Sequence, residues 1–178
     1  MGPRNILITG LPGSGKTTFV EKILRQVNVP AVGFITREIR QHGNRVGFSI
    51  DTLDGRTGVL ARVDFKSGFR VGRYGVRLET IDEIAVPSLK SSTEDILIVI
   101  DEIGKMECLS EVFRKAVIEV LDSPNLVLAA IAMKGDYFIQ SLKSRDDVSV
   151  IELNQANRDT LVSSLLDSIH RMAAGESR

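Results

Sequence analysis

The chain has 178 residues, 43 % of them hydrophobic, which is enough for one compact domain with a sizeable core. Lysine plus arginine balance aspartate plus glutamate at 23 each, so no global field draws the chain to nucleic acid or to an anionic membrane, and either partner would need a local patch. Cys108 is the single cysteine, which excludes an intramolecular disulfide and suits a reducing, cytoplasmic setting.

Apolar runs fall short of the roughly 18 residues of a membrane helix. The opening MGPRNILITG has no signal-peptide core, and Ile6 stands where a myristoylation pattern needs Ser or Thr. No membrane partner is expected, and a monomer is compatible with the sequence.

In chain order, NILIT (5–9) reads as a strand ending at Gly10, and from Lys16 the residues Phe19, Val20, Ile23, Leu24 and Val27 recur at helical spacing. AVGFITREI begins a second strand. After His42-Gly43-Asn44, RVGFSIDTL and RTGVLARV flank Asp54-Gly55, a hairpin signal that predicts an inserted antiparallel β-meander. DFKSGFRVGRYGVR (64–77) has no clean period and reads as an ordered loop. A helix is predicted from Glu79 to about Ser91, interrupted or ended near Pro87.

DILIVI then reads as a strand buried on both faces. Ser110 can cap a helix running to Leu121, NLVLAAIA is another buried strand, and a short helix spans Tyr137 to Ser144. VSVIEL is the last strand. The last helix runs from about Gln155 to Ala173, with Leu161, Val162, Leu165, Leu166, Ile169 and Met172 on one face. Strands alternating with helices predict an α/β three-layer sandwich with a mainly parallel sheet.

GLPGSGKT, Gly10 to Thr17, matches the phosphate-loop pattern G-x-x-x-x-G-K-[ST] between a predicted strand and a predicted helix. Glycines let the backbone wrap a phosphate with successive N–H groups pointing inward, and the helix beginning at Lys16 adds its positive dipole end. Gly10, Leu11, Pro12, Gly13, Ser14 and Gly15 are therefore expected to cradle a nucleotide, chiefly through backbone. Lys16 is expected at the β- and γ-phosphates, Thr17 as a Mg²⁺ ligand through its hydroxyl, and Thr18 near the α-phosphate.

IDEIGKME (100–107) closes the buried strand with three carboxylates and a lysine. In open α/β sheets ligands collect at the carboxyl ends of strands, where Gly10 and Asp101 both fall. Asp101 is the expected Mg²⁺ ligand, direct or through water. Glu102 is expected to orient an attacking water; a carboxylate is too weak a base to strip water outright, so it accepts the proton late. Lys105 can neutralise charge on the γ-phosphate, an effect worth ~10³ to 10⁵ in rate, or can be a surface charge. Glu107 is expected to pair with Lys105 or to cap the following helix. Asp101 to Gly104 also fits D-x-x-G, but no N-K-x-D guanine reader follows, so Gly104 is read as loop geometry at the nucleotide.

Together, ITGLPGSGKTT, VGFITREIR, VGFSI, VGRYGV, IDEIGKME and NQANRD, in this order over nearly the whole chain, resemble the thermostable-type nucleoside-triphosphate phosphatases, also called the cancer-related nucleoside-triphosphatase family. The resemblance implies a P-loop fold and Mg²⁺-dependent hydrolysis of ATP, GTP and other nucleoside triphosphates. It also implies metal and water roles for Asp101 and Glu102. One departure is Cys108, where the family pattern has an aliphatic residue; it is expected to be buried and inert.

From Thr36 to Arg77 nine basic residues stand against four acidic, and from Glu79 to Asp122 eleven acidic against four basic. These blocks are either two solvated faces or, for the arginines, a site for a polyanion. Arg158, with Asn157, falls where P-loop folds often contact the base, and Arg37 and Arg73 can approach phosphates; each is equally a salt-bridge residue. Tyr74, Tyr137 and Phe138 can stack on a base, with core packing the preferred role. His42 and His170 lack the neighbours of a zinc site.

Two other functions remain open. One is a kinase for a nucleotide or small metabolite, although the basic block follows the second strand and not the later helices where kinase lids usually sit. The other is a nucleotide-dependent RNA-binding module using the Arg37 to Arg77 block.

Overall fold

The computed structural model describes residues 4–93 and 95–174. In chain order its strands are β1 (Asn5–Thr9), β2 (Ala31–Gln41), β3 (Asn44–Thr52), β4 (Thr57–Arg62), β5 (Arg70–Val71), β6 (Tyr74–Val76), β7 (Leu97–Ile103), β8 (Leu126–Ile131) and β9 (Val148–Glu152). The helices are α1 (Lys16–Leu24), α2 (Leu78–Thr80), α3 (Val86–Ser88), α4 (Glu111–Asp122), α5 (Tyr137–Lys143) and α6 (Arg158–Ala173).

All nine strands join one sheet in the order β5-β6-β4-β3-β2-β7-β8-β1-β9. From β2 to β9 the neighbours are parallel. From β2 outward through β3, β4, β6 and β5 they are antiparallel, so the expected meander extends the same sheet as a wing.

The parallel half is a three-layer sandwich because its strands are apolar at successive positions, which point to opposite faces. Ile6, Ile8, Leu97, Val99, Leu126 and Leu128 pack with Phe19, Val20 and Ile23 of α1 and with Val162, Leu165, Leu166 and Ile169 of α6. Leu7, Ile98, Ile100, Val127 and Ala129 pack on the other face with Ile81, Val86, Phe113, Val117 and Leu142. A strand buried on both faces cannot slip by one residue without exchanging its two cores, so its carboxyl end is held in fixed register.

One stretch differs from the sequence expectation and two refine it. Residues 64–77 contain the β5–β6 hairpin, whose strands of two and three residues are too short to display a period. The helical stretch ends at Ser88, and its middle, Ile81–Ala85, is a π turn immediately before the α3 segment that carries Pro87. Proline has no N–H, so the regular ladder is interrupted in any case, and the wider turn falls there. The Asp54-Gly55 turn is a four-residue loop, closed by Thr52, whose hydroxyl accepts from Arg56 N–H at 2.9 Å.

Candidate active site

β1 delivers the chain at Gly10, and the loop to α1 turns through Gly13 at φ 78° and Gly15 at φ 89°, left-handed values suited to glycine. The first bond of α1 runs from Phe19 N–H to the Gly15 carbonyl at 2.8 Å, leaving the preceding N–H groups without helical acceptors. α1 also has no side-chain cap and no acid in its first turn. By contrast, Ser110 caps α4 by accepting from Phe113 N–H, and Asp136 caps α5 by accepting from Ile139 N–H. Only a ligand or water can satisfy the start of α1 in the way those side chains do. Lys16 lies over this loop, its ammonium donating to the Gly10 carbonyl at 3.3 Å.

β7 carries the acidic stretch to the same edge. Its register against β8 shifts between Ile100 and Ile103, and the Asp101–Glu102 peptide is cis. Asp101 is 2 % exposed, and its Oδ2 is buried without a hydrogen-bond partner. Burial pushes its carboxyl up to about 7, and the Glu102 charge adds to that push. The Thr17 hydroxyl and the Lys16 ammonium pull against it. A buried carboxylate with one idle oxygen, facing a threonine hydroxyl, suits a hard cation whose other ligands come from phosphate and water.

Gly10, Leu11, Pro12 and Lys16 line one end of a cavity of about 520 Å³, and Glu102, half-buried, lies on its wall with Gly104, Lys105, Met106 and Glu107. Ala132, Met133 and Lys134, after β8, close another side, and Thr36, Phe48 and Val71 face it from the wing. Gly104 has a steric reason to be glycine. A Cβ there would stand 2.9 Å from Glu107 Oε2 and 3.5 Å from the Glu102 carboxyl carbon, so the turn holds both acids close.

Glu107 corrects the sequence expectation. It forms no ion pair with Lys105 among the described residues and caps no helix. It is 4 % exposed in a single 3₁₀ turn, Glu107–Leu109. Burial pushes its carboxyl up to about 8, helped by the charges of Glu102 and Asp101 and opposed by its own N–H and that of Gly104. Cys108 is buried beside it, its thiol pushed up to about 12 by burial, as expected of an inert position.

None of the candidate arginines is among the residues that line the cavity. Arg37 binds Glu21 at 2.7 Å and Asp51 at 2.8 Å. Arg73 donates to the Arg45 carbonyl at 2.6 Å and to the Tyr74 hydroxyl at 3.2 Å. Arg158 is half-exposed beside Asp159 at 3.8 Å, and the Asn157 amide is occupied by the Glu152 carbonyl. Thr18 is exposed at the start of α1, Phe19 and Val20 are core, Tyr74 is buried in the wing and Tyr137 is 88 % exposed. Sequence reasoning missed Lys134, Met133, Phe48, Val71 and Thr36 as cavity residues; Thr36, Phe48 and Val71 lie within VGFITREIR, VGFSI and VGRYGV, Met133 and Lys134 within no quoted stretch, and the five meet only through the strand order.

A parallel sheet with a glycine loop and an uncapped helix at the end of β1, and an aspartate at the end of β7, defines a P-loop nucleotide-binding protein of the α/β class. A protein-family model described as NTPase matches residues 5–166. The chain is 47 % identical to the nucleoside-triphosphatase THEP1 of Thermotoga sp. (strain RQ2), over 97 % of this chain and 99 % of that protein. It is 37 % identical to the human cancer-related nucleoside-triphosphatase, over 93 % and 96 %. The crystal structure of THEP1 from the hyperthermophile Aquifex aeolicus superposes with a TM-score of 0.86 at 35 % identity, covering 94 % of this chain and 99 % of that one. The chain belongs to this NTPase family, as its motifs led us to expect.

Proposed function

We propose that the protein is a Mg²⁺-dependent nucleoside-triphosphate phosphohydrolase of broad base specificity. Its family membership supports the triphosphatase activity. The observation that carries the site assignment is the idle Asp101 oxygen buried beside the Thr17 hydroxyl, at the foot of an uncapped phosphate loop.

In this reading the N–H groups of Gly13, Ser14, Gly15 and the first turn of α1 receive the β- and γ-phosphates, and Lys16 leaves the Gly10 carbonyl for the phosphate oxygens. Thr17 and Asp101 hold the metal. When bound, Mg²⁺ neutralises charge on the β- and γ-oxygens. Glu102, on the cavity wall, orients water in line with the γ-phosphorus and takes its proton as the bond to the leaving diphosphate breaks. Lys105 and Lys134 flank the charge that develops, Lys134 being the addition to the sequence reading.

Broad base specificity is supported at the loop after β9. The Asn157 amide is taken up by its own loop and Arg158 stands at the surface, so neither is aimed at a base edge. An RNA-binding reading has less support, because Arg37, Arg40, Arg45, Arg56 and Arg62 of the wing are each held by a nearby acid.

The test is phosphate release by the purified protein from ATP, GTP, CTP and UTP, with and without Mg²⁺. Release from all four within about tenfold of one another, lost on chelation, is expected. Turnover of a single base, or release indifferent to Mg²⁺, would refute the reading.

A further inference from the structure

Hydrolysis leaves the wing end of the cavity without a task. The terminal phosphates take the end at Gly10, Leu11, Pro12 and Lys16, and an attacking water needs about 30 Å³ beside Glu102, whereas the cavity of about 520 Å³ continues past both to Thr36, Phe48 and Val71. No residue of β9 or α6 is among its lining. Its lining comes from the loops after β1, β7 and β8 and from β2, β3 and β5, with nothing from the strand on the other flank of β1. A triphosphate lying along the glycine loop ends near Lys16 and Glu102, and the space beyond its last phosphate belongs to a second molecule.

The walls describe that molecule. Phe48, Val71, Met106, Ala132 and Met133 are apolar. Phe48 is held rigidly. Its ring meets Tyr74 edge to face, with centroids 5.2 Å apart at 69°, and the Arg45 guanidinium carbon stands 5.3 Å from its centroid. Tyr74 is fixed in turn, accepting from Arg45 Nε at 3.1 Å with the Arg73 guanidinium 5.2 Å from its ring. A braced aromatic face in a pocket of this size is how proteins bind flat organic molecules. Thr36 supplies a polar contact, since its hydroxyl oxygen is buried and has no partner in the protein.

We infer that the wing side of this cavity binds a phosphoryl acceptor, a small hydroxyl-bearing molecule with a flat apolar body, which lies against Phe48 with its hydroxyl toward Glu102. The inference rests on triphosphate binding at the glycine loop as proposed above. The acceptor oxygen attacks the γ-phosphorus. The new O–P bond forms as the bond from that phosphorus to the β,γ-bridging oxygen breaks, and the hydroxyl proton passes to the Glu102 carboxylate. The bonding pair leaves with the nucleoside diphosphate. Water takes the same place when the pocket is empty, so hydrolysis and transfer share one set of catalytic groups.

The test incubates the full chain with ATP and Mg²⁺ and, in separate reactions, adenosine, thymidine, benzyl alcohol or naphthylmethanol, and follows free phosphate and phosphomonoester together by phosphorus NMR. A phosphomonoester from at least one alcohol is expected. Its ratio to free phosphate should fall about tenfold or more in Val71→Trp, which fills the far end of the pocket. Should Val71→Trp fail to fold, Phe48→Leu, which keeps apolar bulk but removes the ring face, is expected to lower the same ratio. Phosphate without phosphomonoester from every alcohol overturns the acceptor site and leaves the triphosphatase reading intact. A ratio unmoved by the pocket variants overturns its location. Neither product from any reaction overturns the triphosphatase reading, and the acceptor site with it.

Discussion

Along the antiparallel wing Arg40 and Arg45 share Glu38, Arg56 holds Asp54, Arg62 holds Asp64, and Arg37 reaches both Glu21 and Asp51. At the carboxyl edge of the parallel strands, Asp101 keeps an idle buried oxygen, and Lys16, Lys105 and Lys134 form no ion pair among the described residues. The two regions divide the charges of the chain by purpose. These exposed pairs on the wing neutralise one another and contribute little to stability, while Arg70 and Arg73 donate to backbone carbonyls and Arg77 lies over the Phe65 ring. Charges kept unpaired at a strand end are costly in the free protein and make sense only against a partner that arrives later.

The contrast is tested most severely at its positive pole. Lys16→Ala should lower kcat/KM for phosphate release about 10²- to 10³-fold, since it removes the one ammonium lying on the glycine loop. An unchanged rate would mean that the unpaired edge is not where triphosphate chemistry occurs. Lys105→Ala should cost less, about tenfold in kcat with KM little altered, because Lys134 lines the same cavity. The double variant with Lys134→Ala should cost about 10²-fold, and strict additivity of the two would show that they do not share the developing charge.

Glu107 sharpens the comparison through stability. Its carboxyl is raised in the folded protein from the ordinary 4.5 to about 8, so its stabilising contribution is greatest below pH 4.5 and is lost as pH rises through about 8. Glu107→Gln removes the ionisation. It should flatten the fall in stability over that window, with a gain on the order of a few kcal/mol at pH 9 as read by denaturant melts. A parallel pH dependence in wild type and variant would show that Glu107 is not the buried acid described here. The smallest effect is expected on the wing. Arg62→Ala should leave phosphate release within about twofold, and a larger loss would mean that the wing pairs do more than hold each other.

Much of the candidate site was legible in the sequence because the residues that would carry its chemistry are local. The glycine loop, Lys16, Thr17, Asp101 and Glu102 lie in two short stretches whose spacing follows from how a strand hands the chain to a helix or a turn. The arginine block was misleading as a charge count. Its signal lay in the spacing, since Arg40 with Glu38 on β2, Arg56 with Asp54 in the loop before β4, and Arg62 at the end of β4 with Asp64 just after it are each two residues apart, near enough to pair locally. Glu107 was hidden because its burial depends on a tight turn at Gly104 that folds it into the cavity wall. Phe48, Val71 and Met133 stand far apart in the chain and meet only because β8 and the wing flank β2 and β7 in space, an arrangement that no local pattern encodes.

The central claim is that the unpaired edge turns over triphosphate through Glu102. Glu102→Gln keeps the shape of the side chain and removes its capacity to take a proton. Fluorescent-nucleotide titration and single-turnover phosphate release on this variant should give binding within about threefold of wild type and release slowed about 10²- to 10⁴-fold. Release at the wild-type rate, or a loss of binding as large as the loss of turnover, would contradict the account.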